Sequence, residues 1–193
     1  MSEASERRMT PDEFLEWQKR QDRNYELVDG LPVLPLKAMT GATLRHDRIT
    51  TNATVALGSQ LRGGPCRPES TDIAIRIPAG GLRRPDLTID SGPMVDSAME
   101  AQEPRLVLEV LSPSTINLDR FRKLDEYKSH PAIRLILLAD TRVPELTVWR
   151  RSGVGWAVES FHGLEGRVEL PEIGASLALD DLYGGLSFDE RRT

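Results

Sequence analysis

The sequence predicts an α/β chain of the mixed α+β kind: a central mixed β-sheet flanked by helices, with antiparallel hairpins toward both ends. Three observations predict it. Two almost wholly apolar runs, "RLVLEVL" at 105–111 and "IRLILLAD" at 133–140, read as strands covered on both faces, and a helical pattern, "NLDRFRKLDEYKS", lies between them. Near the start, "YELVDGLPVLPL" places Asp29-Gly30 between apolar arms, the usual hairpin signal. Near the end, glycines separate "ELTVWRR", "GWAVESF" and "GRVEL", which suggests a small antiparallel meander.

The remaining elements follow in chain order. Thr10, Pro11 and Glu13 form a capping box with proline at the first helical position, so "TPDEFLEWQKR" begins a helix that turns Phe14, Leu15 and Trp17 inward. The second arm of the hairpin carries Pro32 and Pro35, which places it at a sheet edge. From His46 to Leu61 the apolar positions Ile49, Ala53, Ala56, Leu57 and Leu61 recur at helical spacing, and "RGGP" ends that helix. The period then changes to two: "TDIAIRI" alternates Ile73, Ile75 and Ile77, and "PAGG" turns the chain into a further strand, "PDLTID". Residues 91–104 read as an exposed loop with room for one helical turn, and "SPST" as a turn after the 105–111 strand. In the following helix Leu118, Phe121, Leu124 and Tyr127 mark the face that lies on the sheet, and His130-Pro131 stops it.

Length and composition bound the function. At 193 residues with 39% apolar content, one domain over 10–188 can bury a real core, with flexible ends at 1–9 and 189–193. The net charge of -5 excludes attraction to nucleic acid by bulk charge, so any such binding needs a local basic patch. A single cysteine, Cys66, excludes an internal disulfide framework and a multi-cysteine zinc site, and fits a reducing compartment. "MSEASERR" is polar and "IRLILLA" is too short to cross a bilayer, so a cytoplasmic protein without a membrane partner is expected.

Chemistry enters where the apolar pattern breaks. Glu109 interrupts the 105–111 strand, and an ionised carboxylate there costs several kcal/mol unless a partner, a metal or a proton compensates. The strand that begins after Pro85 precedes it by one loop, and consecutive strands usually lie side by side, so Asp86 and Glu109 can converge. Two carboxylates about 4 Å apart repel by roughly 4 kcal/mol at an effective dielectric near 20, and a hard divalent ion such as magnesium resolves that repulsion. An ion so held can activate water and neutralise a phosphodiester in cleavage. The residue two places beyond Glu109 is Leu111, so a cation must come from elsewhere; Lys123, one helical turn after Asp119 and one before Tyr127, is the best candidate.

"RRPDLTID", "LVLEVLSPST" and "DRFRKLDEY", in that order, resemble the Uma family of restriction endonucleases, a branch of the PD-(D/E)XK nuclease superfamily. The likeness reaches back to "YELVDG" and forward to "IRLILLAD". It implies a restriction-endonuclease-like core, Asp86 and Glu109 as metal ligands, Lys123 as catalytic cation moved from strand to helix, and Glu26 as a further acid at the metal, counted with its ligands. It implies Mg as the ion, with Mn as a substitute, and DNA as the partner. Where family members often carry an aromatic pair after the helix this chain has "AIRLILL", a departure that touches packing more than chemistry.

Plainer roles compete for each residue. Asp86 alone fits a turn, Glu109 fits an ion pair with Arg105 or Arg134, Lys123 fits a solvated helix face, and Glu26 fits an exposed hairpin arm. His46 fits a helix cap, a pair with a carboxylate or a place by the active site, with a structural role preferred; Tyr127 reads as half-buried packing, and Trp149 and Trp156 as core or dimer contacts. Two functions remain: a metal-dependent endonuclease, with Arg62, Arg67, Arg83, Arg84, Arg120 and Arg122 guiding the DNA backbone and a homodimer to cut both strands, or a catalytically silent module of that fold which binds nucleic acid or a protein.

Overall fold

The protein is described here from a computed structural model, in which residues 8–35, 43–111 and 117–188 are placed, with 117–120 as backbone alone. The expected "SPST" turn and the end at 189–193 lie outside these residues, as does most of the expected N-terminal tail. Met9 already belongs to the fold, its N–H donating to the Gly30 carbonyl at 2.7 Å.

The first helix, α1 (Pro11–Gln18), starts as its capping box requires: the Glu13 N–H donates to the Thr10 hydroxyl, and the Glu13 carboxylate accepts from the Thr10 N–H at 2.9 Å. It buries Phe14 against Leu27, Ala74 and Leu82. Asp29 and Gly30 take φ of 52° and 80°, the twisted two-residue turn that joins β1 (Glu26–Val28) to β2 (Leu31–Val33). The proline-bearing arm is at an edge, as expected, in a four-stranded sheet ordered β2-β1-β5-β4, with β4 (Ile75–Arg76) and β5 (Leu82–Arg83). Helix α2 (Leu44–Leu61) is capped by Thr43, whose hydroxyl accepts from the His46 N–H at 3.3 Å.

A six-stranded sheet, ordered β10-β9-β8-β7-β6-β3, forms the centre. It contains β3 (Arg67–Ser70), β6 (Leu87–Asp90), β7 (Pro104–Leu111), β8 (Leu135–Asp140), β9 (Glu145–Ser152) and β10 (Gly155–His162). Only the β7–β8 pair is parallel; the crossover such a pair needs is supplied by α3 (Asn117–Ser129). The sheet is therefore mixed, as predicted. Ile49, Ala53 and Leu57 of α2 cover one face, packing with Leu87, Leu108, Leu137 and Val148. Leu124 and Tyr127 of α3 cover the other, on Val107, Ile136 and Leu138.

Several elements differ from expectation. Phe121 points to solvent with 61% of its surface exposed, because α3 lays only Leu124 and Tyr127 onto the sheet; the side chain of Leu118 lies outside the description. The alternating "TDIAIRI" contributes a two-residue strand, since Ala74 leaves the pattern to bridge Glu100. No helical turn forms in 91–103, where the buried Asp90 carboxylate instead gathers the N–H groups of Gly92, Gln102 and Glu103. The terminal meander is split: β9 and β10 extend the central sheet, whereas β11 (Arg167–Leu170) pairs with β12 (Ala175–Ala178) and with α4 (Leu179–Leu182) covers the α2 face.

These burials set two opposite expectations. Leu137→Ala, in the fully buried β8, should lower unfolding free energy by about 2–5 kcal/mol in urea titration, whereas Phe121→Ala should change it by less than ~0.5 kcal/mol. Equal losses would mean that α3 is rotated from the orientation described.

Candidate active site

Glu109 lies near the carboxyl end of β7 with 15% of its side chain exposed, a carboxylate in a strand whose even-numbered neighbours are core. Its compensation comes from α3. The Tyr127 hydroxyl donates to Glu109 Oε1 at 2.7 Å, and Lys123 Nζ stands 3.8 Å from the same oxygen. Lys123 and Tyr127 are four residues apart on one helix face, so a single helix delivers both groups. Burial and then the Glu109 charge push the Tyr127 hydroxyl well above its ordinary pKa, so it remains a donor at any working pH. Arg105, one alternative partner for Glu109, instead pairs with Glu103 at 2.8 Å.

Lys123 is held from its other side by Glu26. The two meet at 2.9 Å, and both carboxylate oxygens of the buried Glu26 are engaged: Oε1 accepts from Lys123 and from the Arg84 N–H at 3.1 Å, and Oε2 accepts from Arg83 at 2.9 Å. Burial alone would raise the Glu26 pKa; the Lys123 and Arg83 charges outweigh it and hold the group below the usual carboxylate range. Arg83 is itself buried and also bonds Glu126, which Arg122 shares before reaching Asp29 at 2.6 Å. Burial disfavours the Arg83 charge, yet Glu126 and Glu26 leave it more firmly protonated than an ordinary arginine. A chain of alternating charges thus runs from the hairpin turn to Glu109.

Asp86 precedes β6 and grips the β7 backbone on both sides of Glu109: its N–H donates to the Leu108 carbonyl at 3.1 Å, and its Oδ2 accepts from the Val110 N–H at 2.8 Å. The same Oδ2 is 3.1 Å from His46 Nε2. Each acid is therefore steadied by a different helix, Asp86 by α2 and Glu109 by α3, and the two sit at adjoining backbone positions at the end of the strand pair. Among the described residues, no three His, Cys, Asp or Glu side chains gather as a ready-made metal cage.

Glu109, Lys123, Glu26 and Tyr127 share one network, and Asp86 joins it through the β7 backbone. His46 and Tyr127, read from sequence as structural or packing residues, both touch a candidate acid. Pairing with a carboxylate is one of the roles open to His46 at its helical start, and the docking of α2 is what selects Asp86 as the partner. The arginines expected to guide DNA are mostly committed elsewhere: Arg83 and Arg84 are buried, Arg67 pairs with Glu69 and Asp90, and Arg122 with Asp29 and Glu126. Arg62 is exposed, and the Arg120 side chain lies outside the description.

Comparison with known proteins adds three findings. The Uma2 family model, described as "Putative restriction endonuclease", matches residues 11–180. The uncharacterized protein slr1290 of Synechocystis sp. is 30% identical over 184 residues, spanning 94% of each chain. The crystal structure of a nuclease of DUF820 from Anabaena variabilis, itself titled putative, superposes with a TM-score of 0.69 at 18% identity, covering 91% of this chain and 97% of that one, which establishes likeness of fold.

The Glu26 ion pairs predict a pH signature. With a folded pKa below the unfolded value of 4.5, Glu26 contributes stability that is complete above that value and lost as pH falls through the folded one. Glu26→Gln should therefore cost about 3 kcal/mol at neutral pH, and the gap to wild type should close as pH drops below 4.5. A gap that stays constant down to the acid limb would place the stabilisation outside this carboxylate.

Proposed function

The chain belongs to the Uma2 family, and from that premise we propose that it is a metal-dependent endonuclease hydrolysing DNA phosphodiester bonds. The observation that carries the reading is Lys123, clamped 2.9 Å from Glu26 and 3.8 Å from Glu109 beside the backbone that Asp86 grips. A lysine on a solvated face would serve solubility. One fixed between two acids at a strand end is a positioned ammonium.

Asp86, just before β6, and Glu109 of the adjoining β7 supply carboxylate oxygens, and magnesium is an ion that takes one or two carboxylates and fills its shell with water and substrate phosphate. We assign Asp86 and Glu109 to hold the ion, with manganese as substitute. Such an ion supplies charge neutralisation at the phosphate and activation of water. Glu26, with both oxygens engaged, is assigned to hold Lys123 and not the metal.

The remaining roles follow from the bonds. Tyr127 fixes one oxygen of Glu109 and stays protonated, so the carboxylate keeps its direction. His46 and the Val110 N–H fix Asp86. Lys123 stabilises negative charge on the phosphate as water adds and the leaving oxygen departs. Its orientation is set beforehand by Glu26 and Arg83, which lowers the reorganisation required during reaction.

Purified Asp86→Ala, Glu109→Ala and Lys123→Ala proteins should each lose about 10²–10³-fold or more of magnesium-dependent plasmid cleavage. Titration with manganese should raise the melting temperature of the wild type and of Lys123→Ala, and not of Glu109→Ala. Cleavage persisting in Asp86→Ala and Glu109→Ala would remove the site assignment, and a wild type inert toward DNA yet folded would leave the silent binding module. Tyr127→Phe should retain metal-induced stabilisation while losing about tenfold or more in turnover; undiminished turnover would return Tyr127 to packing.

A further inference from the structure

Most of the arginines that could have met DNA around the site are buried or paired within the fold, so the described cations that lack an acidic partner carry the information. Three of them, Lys128, Arg134 and Arg151, gather on the α3 side of the β9–β10 ribbon. Leu146, Val148 and Phe161 face the opposite core, so alternation turns Thr147, Trp149 and Arg151 of β9 and Trp156, Val158 and Ser160 of β10 toward the α3 side. None of these six is a carboxylate. The strand register sets Glu109, Leu138, Thr147 and Ser160 abreast across four strands, with Leu138 buried under α3 between the candidate site and the ribbon.

At the other end of this face three arginines stand in line. The Arg134 N–H donates to the Arg105 carbonyl at 2.8 Å, and the Arg151 N–H to the Arg134 carbonyl at 2.9 Å, so Arg134, just before β8, lies between Arg105 of β7 and Arg151 of β9. Lys128 Nζ lies 3.3 Å above the Trp149 ring, and the Arg151 guanidinium 4.5 Å above Trp156. Arg151 is fixed by the carbonyls of Lys128, His130 and Ile133, which orient it without cancelling its charge. Among the described residues, no carboxylate pairs with Lys128, Arg134 or Arg151 in an ion pair. Burial and then Arg151 lower the His130 pKa, and burial and then Arg134 lower that of Arg151, as expected where cations crowd together. The acids lie at the borders: Asp125 before Lys128, Glu103 on Arg105, and Glu145 opposite His162 at 3.5 Å.

A cluster of like charges without counterions is costly in isolation and is relieved by a polyanion. Rigid indoles beneath two of the cations keep them raised from the sheet, while Thr147 and Ser160 of the ribbon stand in register with Glu109. We propose that this face, with Lys128, Arg134 and Arg151 as its phosphate contacts, is the track on which the sugar-phosphate backbone of a DNA duplex lies outside the candidate active site. The inference rests on the nuclease reading of the preceding section and adds the surface that holds the substrate. Contacts of this kind position a duplex and read no sequence.

The test is equilibrium binding of a short fluorescent DNA duplex of mixed sequence to full-length Glu109→Gln protein in EDTA, across a range of salt concentrations. The double change Lys128→Gln and Arg134→Gln in that background should weaken binding about tenfold or more and make the slope of log Kd against log salt shallower by about two, one for each lost phosphate contact. Arg142→Gln, at an exposed arginine already paired with Asp140, should change neither quantity. Unaltered affinity and slope in a double variant that melts like its parent would overturn the track, even if wild-type protein cleaves DNA. Loss of self-association in that variant, with DNA binding intact, would also overturn it and assign the face to a second copy of the chain. If Asp86→Ala and Glu109→Ala cleave normally, the catalytic assignment fails, while the salt slopes still decide the track.

Discussion

The burial of Glu26 between Arg83 and Lys123 is the constraint on which the rest depends. These residues come from β1, β5 and α3, elements far apart in the chain, and each charge is tolerable only because the others are present. The small sheet of hairpin strands has its own core around Phe14 and Leu27. It is joined electrostatically to the helix that crosses from β7 to β8. Loss of one partner would leave an uncompensated charge in the interior, so the pairing fixes how the hairpin sheet meets α3 as much as it adds stability. It also determines where Lys123 can be.

That fixing bears on chemistry. Lys123 shares its ammonium between Glu26, nearer, and Glu109, farther, while Tyr127 holds Glu109 from below. An ammonium free on a helix surface would sample many rotamers and be well hydrated; here the hydration is replaced by fixed carboxylates before substrate arrives. On the proposed reading, Glu26 and Arg83 are positioning residues, acting through Lys123. Glu26, with both oxygens bonded to cations and an N–H, is a poor place for a second cation.

The parts of this arrangement legible in the sequence were those set by local chemistry. Thr10 and Glu13 wrote the start of α1, Asp29-Gly30 wrote the hairpin, and the uninterrupted apolar run of β8 wrote a strand buried on both faces. The misreadings came where tertiary contacts override local pattern. Phe121 fits an apolar stripe by spacing, but that stripe is wider than the surface α3 covers. "TDIAIRI" alternates like a strand, yet its partner β5 is two residues long, and a ladder cannot exceed its shorter member. "GRVEL" looks like a third meander strand, and which sheet it joins was decided by β12, a segment without a strong strand signal.

Glu109 stood out in the sequence because a charge within an apolar run demands compensation, and the demand can be read without knowing the partner; Glu26 and Lys123 carried no such local signal. The arginines were not legible, because a guanidinium in the sequence looks alike whether it ends in the core or on the surface. Arg83 and Arg84 beside Pro85 look like a basic patch next to a catalytic motif, yet they are core residues neutralising acids and bonding backbone carbonyls. Only the three-dimensional pairing distinguishes charges that have been cancelled from charges that remain. For an acidic chain with net charge -5 that distinction decides where a polyanion could rest, since the average field repels it and only a local excess of unpaired cations can hold it.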